Sequence, residues 1–412
     1  MEIAIIGGGI AGLAFALSLH QRGLACTVYE GVPQVREVGV GITLLPHAMR
    51  ELTALGLLDE IRAVAIENKE SVFYNRWGQY IYREPRGRHA GHDHPEFGIH
   101  RGKLHGILHR AAVQRLGPDR VRTGHRCEGV LIEDEGVTVR FAAPSGSAPA
   151  PGPVRADLAV ACDGVHSAVR RQLHPTDRLC FAGINTWRGT TVHRPILTGR
   201  SYLRIGSIAT GKMVIYPIVD NVDSQGNQLI NWVAEIGREG SPMNDWNQPG
   251  RLEDFLPTFE RWRFDWLDVP ALISNAQSIF EYPMVDRDPL PFWGQGRVTL
   301  MGDAAHPMYP RGSNGSAQAL VDARTLADEL AGAVTAGTPA VQALRRYEEQ
   351  RLPATARVVQ TNRTAPPDAI IMRADELSGG QPFGHIDDLI SQSELRAISL
   401  HYQQVAGFAQ KS

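Results

Sequence analysis

Three places in this 412-residue sequence pair glycines with a carboxylate in a way that suits a phosphorylated cofactor. The first is Gly7, Gly9 and Gly12, spaced GxGxxG, with Glu30 lying 18 residues beyond Gly12. Gly7 permits a tight turn, Gly9 lets a pyrophosphate approach the backbone, and Gly12 lets a helix close on a strand. Glu30 can accept both hydroxyls of an adenosine ribose. The second is Asp163-Gly164, followed by Ser167 and Arg170. The third is Gly302-Asp303, followed by Pro310, Gly312, Asn314 and Gly315. An acid at the carboxyl end of a strand can accept hydrogen bonds from a sugar or polyol, and a glycine-flanked helix start offers bare N–H groups to an anionic or electron-rich ligand. Each motif alone is weak, because strand-to-helix turns of this kind are common.

The surrounding patterns supply the elements these motifs need. Residues 2 to 6 read as a strand, residues 13 to 19 as a helix stopped by Gly23, and residues 25 to 29 as a second strand ending at Glu30. That context makes GxGxxG a dinucleotide fingerprint, although it cannot separate FAD from NAD, since both carry an ADP half. Past Glu30, a nicotinamide domain would continue into a crossover helix and a parallel strand. The sequence instead runs through residues 38 to 43, helices near 46 to 55 and 58 to 65, and His100-Arg101-Gly102 before an amphipathic helix over 104 to 116. Strands are expected at 121 to 123 and 136 to 142, with the Pro/Ala/Gly/Ser tract 143 to 153 as a solvated hairpin loop. An apolar strand over 158 to 162 delivers Asp163, and Val298 to Met301 delivers Asp303 ahead of a helical pattern through Leu320, Leu326 and Leu330.

In this order the three motifs resemble the fingerprints of the single-component FAD-dependent aromatic hydroxylases, typified by para-hydroxybenzoate hydroxylase. HRGKL at 100 to 104, TWRG at 186 to 189, YPMVDRDPLPFWGQGR at 282 to 297 and the loop at 310 to 315 resemble the phenazine-modifying branch. The resemblance implies an α/β fold in which a Rossmann-like FAD-binding domain interleaves with a mostly antiparallel β-sheet substrate domain, plus C-terminal helices. The expected divisions are an FAD-binding part over 1 to 178, with substrate-domain strands around 70 to 98, a substrate sheet over 179 to 291, a return to the FAD-binding domain over 292 to 362, and an extension over 363 to 412. It also implies that Gly9, Ala11 and Gly12 face the pyrophosphate, that Arg101 lies along it, that Asp303 holds the ribityl hydroxyls, and that Asn314 and Gly315 face the flavin pyrimidine. Gly31, Gly41, Thr43, Cys127, Asp163, Gly164, Pro310 and Gly312 complete the implied cofactor set. The widespread form of the last loop carries Gln where this chain has Asn314.

The implied activity is hydroxylation, with or without decarboxylation, of an aromatic or heteroaromatic small molecule, using NADPH or NADH and O2 through a flavin C4a-hydroperoxide. Trp187, Arg188, Tyr216, Trp232, Tyr282 and Met308 are the candidates to line the substrate pocket. No side chain is assigned as acid, base or nucleophile. An epoxidase or a halogenase would keep the same fold, though no WxWxIP element is present. A nicotinamide-only dehydrogenase would not need the Asp163 and Asp303 motifs, and a flavin-fold protein that merely binds would not need all three.

Composition narrows the field further. At 43% hydrophobic and 21% charged the chain is ordinary globular material. A net charge of −2 gives no reason to expect a nucleic-acid partner. The four cysteines are scattered, which suits reduced thiols in the cytoplasm, and no metal site is expected. Residues 3 to 19 lack a basic leader and carry four glycines, so they are read as a fingerprint rather than a signal peptide, and no run is suited to a membrane span. A monomer or homodimer is expected.

Overall fold

The computed structural model describes residues 1–34, 39–143, 149–238, 248–364, 367–407 and 409. Its central sheet follows from short, almost continuously apolar strands, the pattern required when both faces are covered. Five of them run parallel in the order Val298–Leu300, Leu158–Ala161, Glu2–Ile6, Ala25–Tyr29, Val121–Arg122. Helix Ile10–Gln21, buried from Gly12 to Leu19, lies between this sheet and helices Arg101–Leu116 and Gly315–Ala336. Helix Ala340–Thr364 packs outside the latter. Because the five strands are parallel, Gly7, Glu30, Asp163 and Gly302-Asp303 all emerge at one edge of the sheet, the carboxyl edge where open α/β sheets bind ligands.

A three-stranded antiparallel ribbon, Cys127–Ile132, Val137–Phe141 and Val154–Ala156, flanks that sheet. The tract 143 to 153 joins its last two strands, and residues 144 to 148 of that tract lie outside the described residues. The next strand described after Glu30 does not join the parallel sheet. Gly41–Leu44 instead pairs antiparallel with Phe97–His100, which also pairs with Ile66–Glu67.

The second large sheet has eight strands, in the order Gln248–Pro249, Ile279–Arg287, Leu179–His193, Gln228–Gly237, Gly211–Val219, Ser201–Ser207, Glu70–Tyr74, Tyr80–Pro85. It is antiparallel except where Ser201–Ser207 runs beside Glu70–Tyr74. One face packs on the segment 252–274, through Phe255, Phe259, Val269 and Leu272. That segment opens with two short helical pieces, Leu252–Asp254 and Leu256–Phe259, because Pro257 starts a new turn rather than continuing one. The helix expected from Leu104 begins three residues earlier, at Arg101, where the Arg101 amide donates to the Val40 carbonyl at 2.9 Å.

Helices Ala369–Ser378 and Gln392–Ala406 form the C-terminal extension. They bury Ile370, Ile371 and Leu395 against Phe73, Ile81 and Tyr82 of the sheet, at about 1.5–3 kcal/mol for each large apolar side chain removed from water. Lys212 fixes their entry point. It is buried between Glu235, at 2.8 Å, and Asp368, at 2.6 Å.

Candidate functional site

The glycine loop at the end of Glu2–Ile6 is built as its spacing predicts. Gly7 has φ +103°, and a Cβ there would stand 2.5 Å from the Cys162 carbonyl oxygen. A Cβ on Gly12 would stand 2.0 Å from the Gly7 carbonyl oxygen, so only glycine lets the helix approach the strand this closely. Around Gly9, its chain neighbours apart, no atom of the described residues lies within 4 Å of that position. Gly9 is also the N-cap of Ile10–Gln21, with no side-chain cap, so the helix start faces open space. An anion is favoured there by the exposed N–H groups and the helix dipole together.

The other strand-end loops meet this one. The Glu30 carboxylate accepts from the Gly8 amide at 2.6 Å and the Val32 amide at 2.8 Å, holding the glycine loop against the end of Ala25–Tyr29. His105 donates from Nε2 to the Gly8 carbonyl at 2.6 Å, which fixes its tautomer. Gly302, at φ +60°, lies so near Ala11 that a Cβ would stand 3.0 Å from the alanine methyl. Asp303 is exposed, and among the described residues no group donates to its carboxylate. Its Oδ1 is 3.9 Å from where a Gly315 Cβ would be, as is Met308 Cγ.

Asp163 is half-buried at the end of Leu158–Ala161 and accepts from the Ala168 amide at 2.9 Å through Oδ2. Oδ1 is buried with no partner among the described residues, and burial raises the carboxyl pKa. The thiol of Cys127 is pushed up to about 12 by burial and by the Asp163 charge. Arg170 locks this motif to the Asp303 loop. Its guanidinium donates to the carbonyls of Ala304 (3.0 Å) and Ala305 (2.7 Å) and pairs with Asp177 at 2.7 Å. Gly164 has φ +77°, and Gly31 packs against Arg126. Pro310 is exposed ahead of the turn Arg311–Ser313.

The eight-stranded sheet docks on this half through glycine contacts. The Gly41 amide donates to Asn231 Oδ1 at 2.7 Å, and Gly98 sits where a Cβ would be 2.4 Å from the Pro217 carbonyl oxygen. Thr43 lies beside the Tyr216 hydroxyl. Tyr216 stacks on Tyr202, with centroids 5.0 Å apart, and burial raises its pKa far above the usual phenol range. Arg188 lies over the Tyr282 ring at 5.6 Å, and the nearby Arg101 charge also acts on Tyr282. The Arg188 Nε is buried with no partner among the described residues. These groups share the sheet face turned to the glycine loops.

Trp187 and Trp232 do not belong with them, which corrects the pocket expected from sequence. Trp187 is 1% exposed and stacks on Phe255 at 5.0 Å, while Trp232 donates from Nε1 to Thr191 Oγ1 at 3.0 Å. Adjacent residues on a strand point to opposite faces, so the face that carries Arg188 cannot also carry Trp187. Both tryptophans are core under the segment 252–274.

Sequence reasoning also missed several residues. His47 donates from Nε2 to Asn314 Oδ1 at 3.1 Å. Tyr402 reaches the same asparagine from the C-terminal helix. His306 and Arg351 hold the buried Asp322 carboxylate at 2.5 and 2.7 Å, and that carboxylate also accepts from the Gly302 amide at 3.2 Å. Apart from Pro46 marking a helix start, nothing local in the sequence signals these roles.

The donor set fits FAD. It offers an uncapped helix start for pyrophosphate, carboxylates at two strand ends for ribose and ribityl hydroxyls, a buried carboxylate oxygen awaiting a donor, and a second helix start, at Gly315, beside Asp303. No group of His, Cys, Asp and Glu among the described residues is arranged to hold a metal ion, and no described helix is long and apolar enough to cross a membrane.

Comparison with known proteins agrees with this geometry. The profile described as an FAD binding domain matches residues 1–239 and 285–362. A phenazine 1,6-dicarboxylic acid hydroxylase from Lysobacter antibioticus is 43% identical over 368 residues, covering 88% of this chain and 89% of that protein. A 3-amino-4-hydroxybenzoate 2-monooxygenase from Streptomyces platensis is 36% identical over 373 residues, covering 88% and 87%. The crystal structure of Klebsiella pneumoniae HpxO complexed with FAD and uric acid superposes with a TM-score of 0.74 at 22% identity, covering 99% of this chain and 96% of that one. At that identity the last comparison speaks to the fold.

Proposed function

This chain belongs to the FAD-binding-domain family of flavin-dependent monooxygenases, and from that premise we propose how its residues divide the work. It is an FAD-dependent aromatic hydroxylase that consumes NAD(P)H and O2. The uncapped start of Ile10–Gln21 and the Gly9 loop take the pyrophosphate, Glu30 the adenosine ribose, and Asp303 the ribityl hydroxyls. Asp163 Oδ1 is the acceptor that a cofactor or nicotinamide group would satisfy. When bound, FAD supplies acceptance of a hydride from NAD(P)H and activation of O2.

The protein's own share is electrostatic and positional. Amides at the start of Gly315–Ala336 stabilise negative charge on the cofactor's pyrimidine edge. The sheet face bearing Arg188, Tyr216 and Tyr282 receives the substrate. A planar aromatic or heteroaromatic acid fits best there, because Arg188 Nε has no partner among the described residues and the tyrosine rings offer flat apolar surface. Tyr216 acts as a hydrogen-bonding phenol and not as a base, because its raised pKa keeps it protonated at neutral pH. The stacked tyrosines and the apolar sheet face also keep water from the reacting ring.

The observation that carries this reading is the convergence, at one edge of a parallel sheet, of an open Gly9 loop, Glu30, the unsatisfied Asp163 oxygen and the free Asp303 carboxylate. The test is an absorption spectrum of the purified protein, followed by NAD(P)H oxidation against a panel of aromatic acids with hydrogen peroxide recorded. A flavin spectrum and substrate-stimulated oxidation with little peroxide are expected. A protein that takes up no FAD would sink the assignment.

A further inference from the structure

The last helix, Gln392–Ala406, lies outside the three motifs and outside the segments matched by the FAD-binding profile. Its inner face is nevertheless tied to the loop leading into Gly315. The Tyr402 side chain is 5% exposed. Its hydroxyl accepts from Asn314 Nδ2 at 3.2 Å and shares its one proton between Asn362 Oδ1, at 3.0 Å, and the Arg311 carbonyl, at 3.2 Å. It presses on the loop as well, since a Cβ on Gly312 would stand 1.9 Å from that hydroxyl oxygen. Gly312 and Ser313 are both held at positive φ, +76° and +57°.

A second tie leaves the same helix one turn further on. The Ala406 carbonyl accepts from Gln318 Nε2 at 3.2 Å. Gln318 Oε1 accepts from Arg351 Nη2 at 2.6 Å, and Arg351 Nε donates to Asp322 Oδ1 at 2.7 Å. Asp322 Oδ2 accepts from the Gly302 amide, next to Asp303, at 3.2 Å. The buried polar chain therefore runs from the C-terminal helix to both ends of the Gly302–Gly315 loop. With its side chain occupied by His47 and Tyr402, Asn314 makes no side-chain cap on Gly315–Ala336. That leaves the first amides of the helix to a ligand.

We propose that Tyr402 is a positioning residue for the cofactor: through Asn314 and Gly312 it fixes the helix start that meets the extra negative charge on the pyrimidine edge of reduced FAD. This rests on the reading that FAD occupies the crevice. A helix dipole acts only over its first turn and depends on where that turn points. Loosening the loop therefore weakens binding of reduced FAD more than of oxidised FAD, and the difference appears as a lower midpoint potential.

The experiment compares wild type, Tyr402→Phe and Ser399→Ala as holoenzymes, by dye-coupled reduction followed in the visible spectrum. Ser399 sits on the same helix and bonds Glu84 of the eight-stranded sheet, away from the loop. Tyr402→Phe is expected to retain its fold by circular dichroism and to lose about tenfold in relative affinity for reduced FAD, which is about 30 mV for a two-electron couple. Ser399→Ala is expected to keep the wild-type potential even where it lowers thermal stability. An unchanged potential in Tyr402→Phe, or an equal shift in both variants, overturns the proposal while leaving FAD binding intact. Where Tyr402→Phe does not fold, Gln318→Met cuts the second tie and carries the same expectation and the same refutation. A wild-type protein that holds no flavin overturns the FAD reading and this inference together.

Discussion

Acidifying the protein from pH 8 to pH 5 is expected to cost about 2 kcal/mol of stability through one side chain, His47. The imidazole is 7% exposed in the first turn of Pro46–Ala54, and its Nε2–H donates to Asn314 Oδ1 at 3.1 Å. Burial is the main cause that lowers its pKa to about 3, with Arg50, Arg351 and His92 adding repulsion against the opposing Asn314 bond. The unfolded chain takes up a proton near pH 6.5 and the folded chain does not. Stability is therefore complete above that pH and is lost progressively as pH falls towards the folded pKa. At pH 5, about 1.5 pH units below the unfolded value, the loss at 1.36 kcal/mol per unit comes to about 2 kcal/mol. The assay is urea unfolding of wild type and His47→Gln at both pH values. The glutamine amide can still donate towards Asn314, and the carboxylates common to both proteins cancel in the comparison. The stability difference should move by about 2 kcal/mol in favour of the variant on acidification. A difference constant within about 0.5 kcal/mol would mean that His47 is not buried neutral.

Three further substitutions probe the cofactor edge. Gly12→Ala places a methyl 2.0 Å from the backbone oxygen of Gly7, so it is expected to lower the melting temperature and abolish FAD retention on gel filtration; normal holoenzyme yield would contradict this. Arg170→Met removes the fork on Ala304, Ala305 and Asp177. Because Asp177 keeps Arg287 at 2.6 Å, the urea-unfolding loss is expected near the lower end of the range for a broken buried pair, about 3 kcal/mol, and a loss under about 1 kcal/mol would refute it. Asp163→Asn works in opposite directions on stability and binding. Burial raises the Asp163 pKa, so the folded state holds the proton more tightly than the unfolded state, and stability falls as pH rises through that window. Removing the charge is expected to raise the melting temperature of the FAD-free protein at pH 7 while weakening FAD binding, and a fall in both would show that the carboxylate is needed for the fold itself.

The glycine-loop half of the candidate site was legible in its geometry because the determinants of that geometry are local. Gly7, Gly9, Gly12 and Glu30 act within one strand-helix-strand unit, and their spacing alone implies the turn at Gly7 and the close packing at Gly12 that the structure contains. Asp163 and Asp303 are equally local, each following a short apolar run. The substrate half obeys a rule that is visible in sequence but incomplete. Alternation along a strand separates Trp187 from Arg188, yet it does not say which of them faces the FAD-binding half, because both faces of the eight-stranded sheet are covered. One is covered by the segment 252–274 and the other by the FAD-binding half and the C-terminal helices. The larger aromatic was assigned to the wrong face because size predicts burial and not the partner against which a residue is buried.

Asn314 shows the remaining limit. In sequence it reads as a departure from the glutamine common in related loops. In the folded chain its amide spans His47, 267 positions earlier, and Tyr402, 88 positions later. Gln318, one turn into the helix, bonds Asn314 Oδ1 at 3.4 Å as well as the Ala406 carbonyl. The side chain at 314 is therefore held by a histidine and a tyrosine that no local pattern connects to it, with the helix end at Ala406 braced through Gln318. The chemistry of a flavin site is set by side chains that touch the cofactor, but the place where those groups stand is set by residues like Tyr402, whose role appears only after the C-terminus has packed back onto the loop.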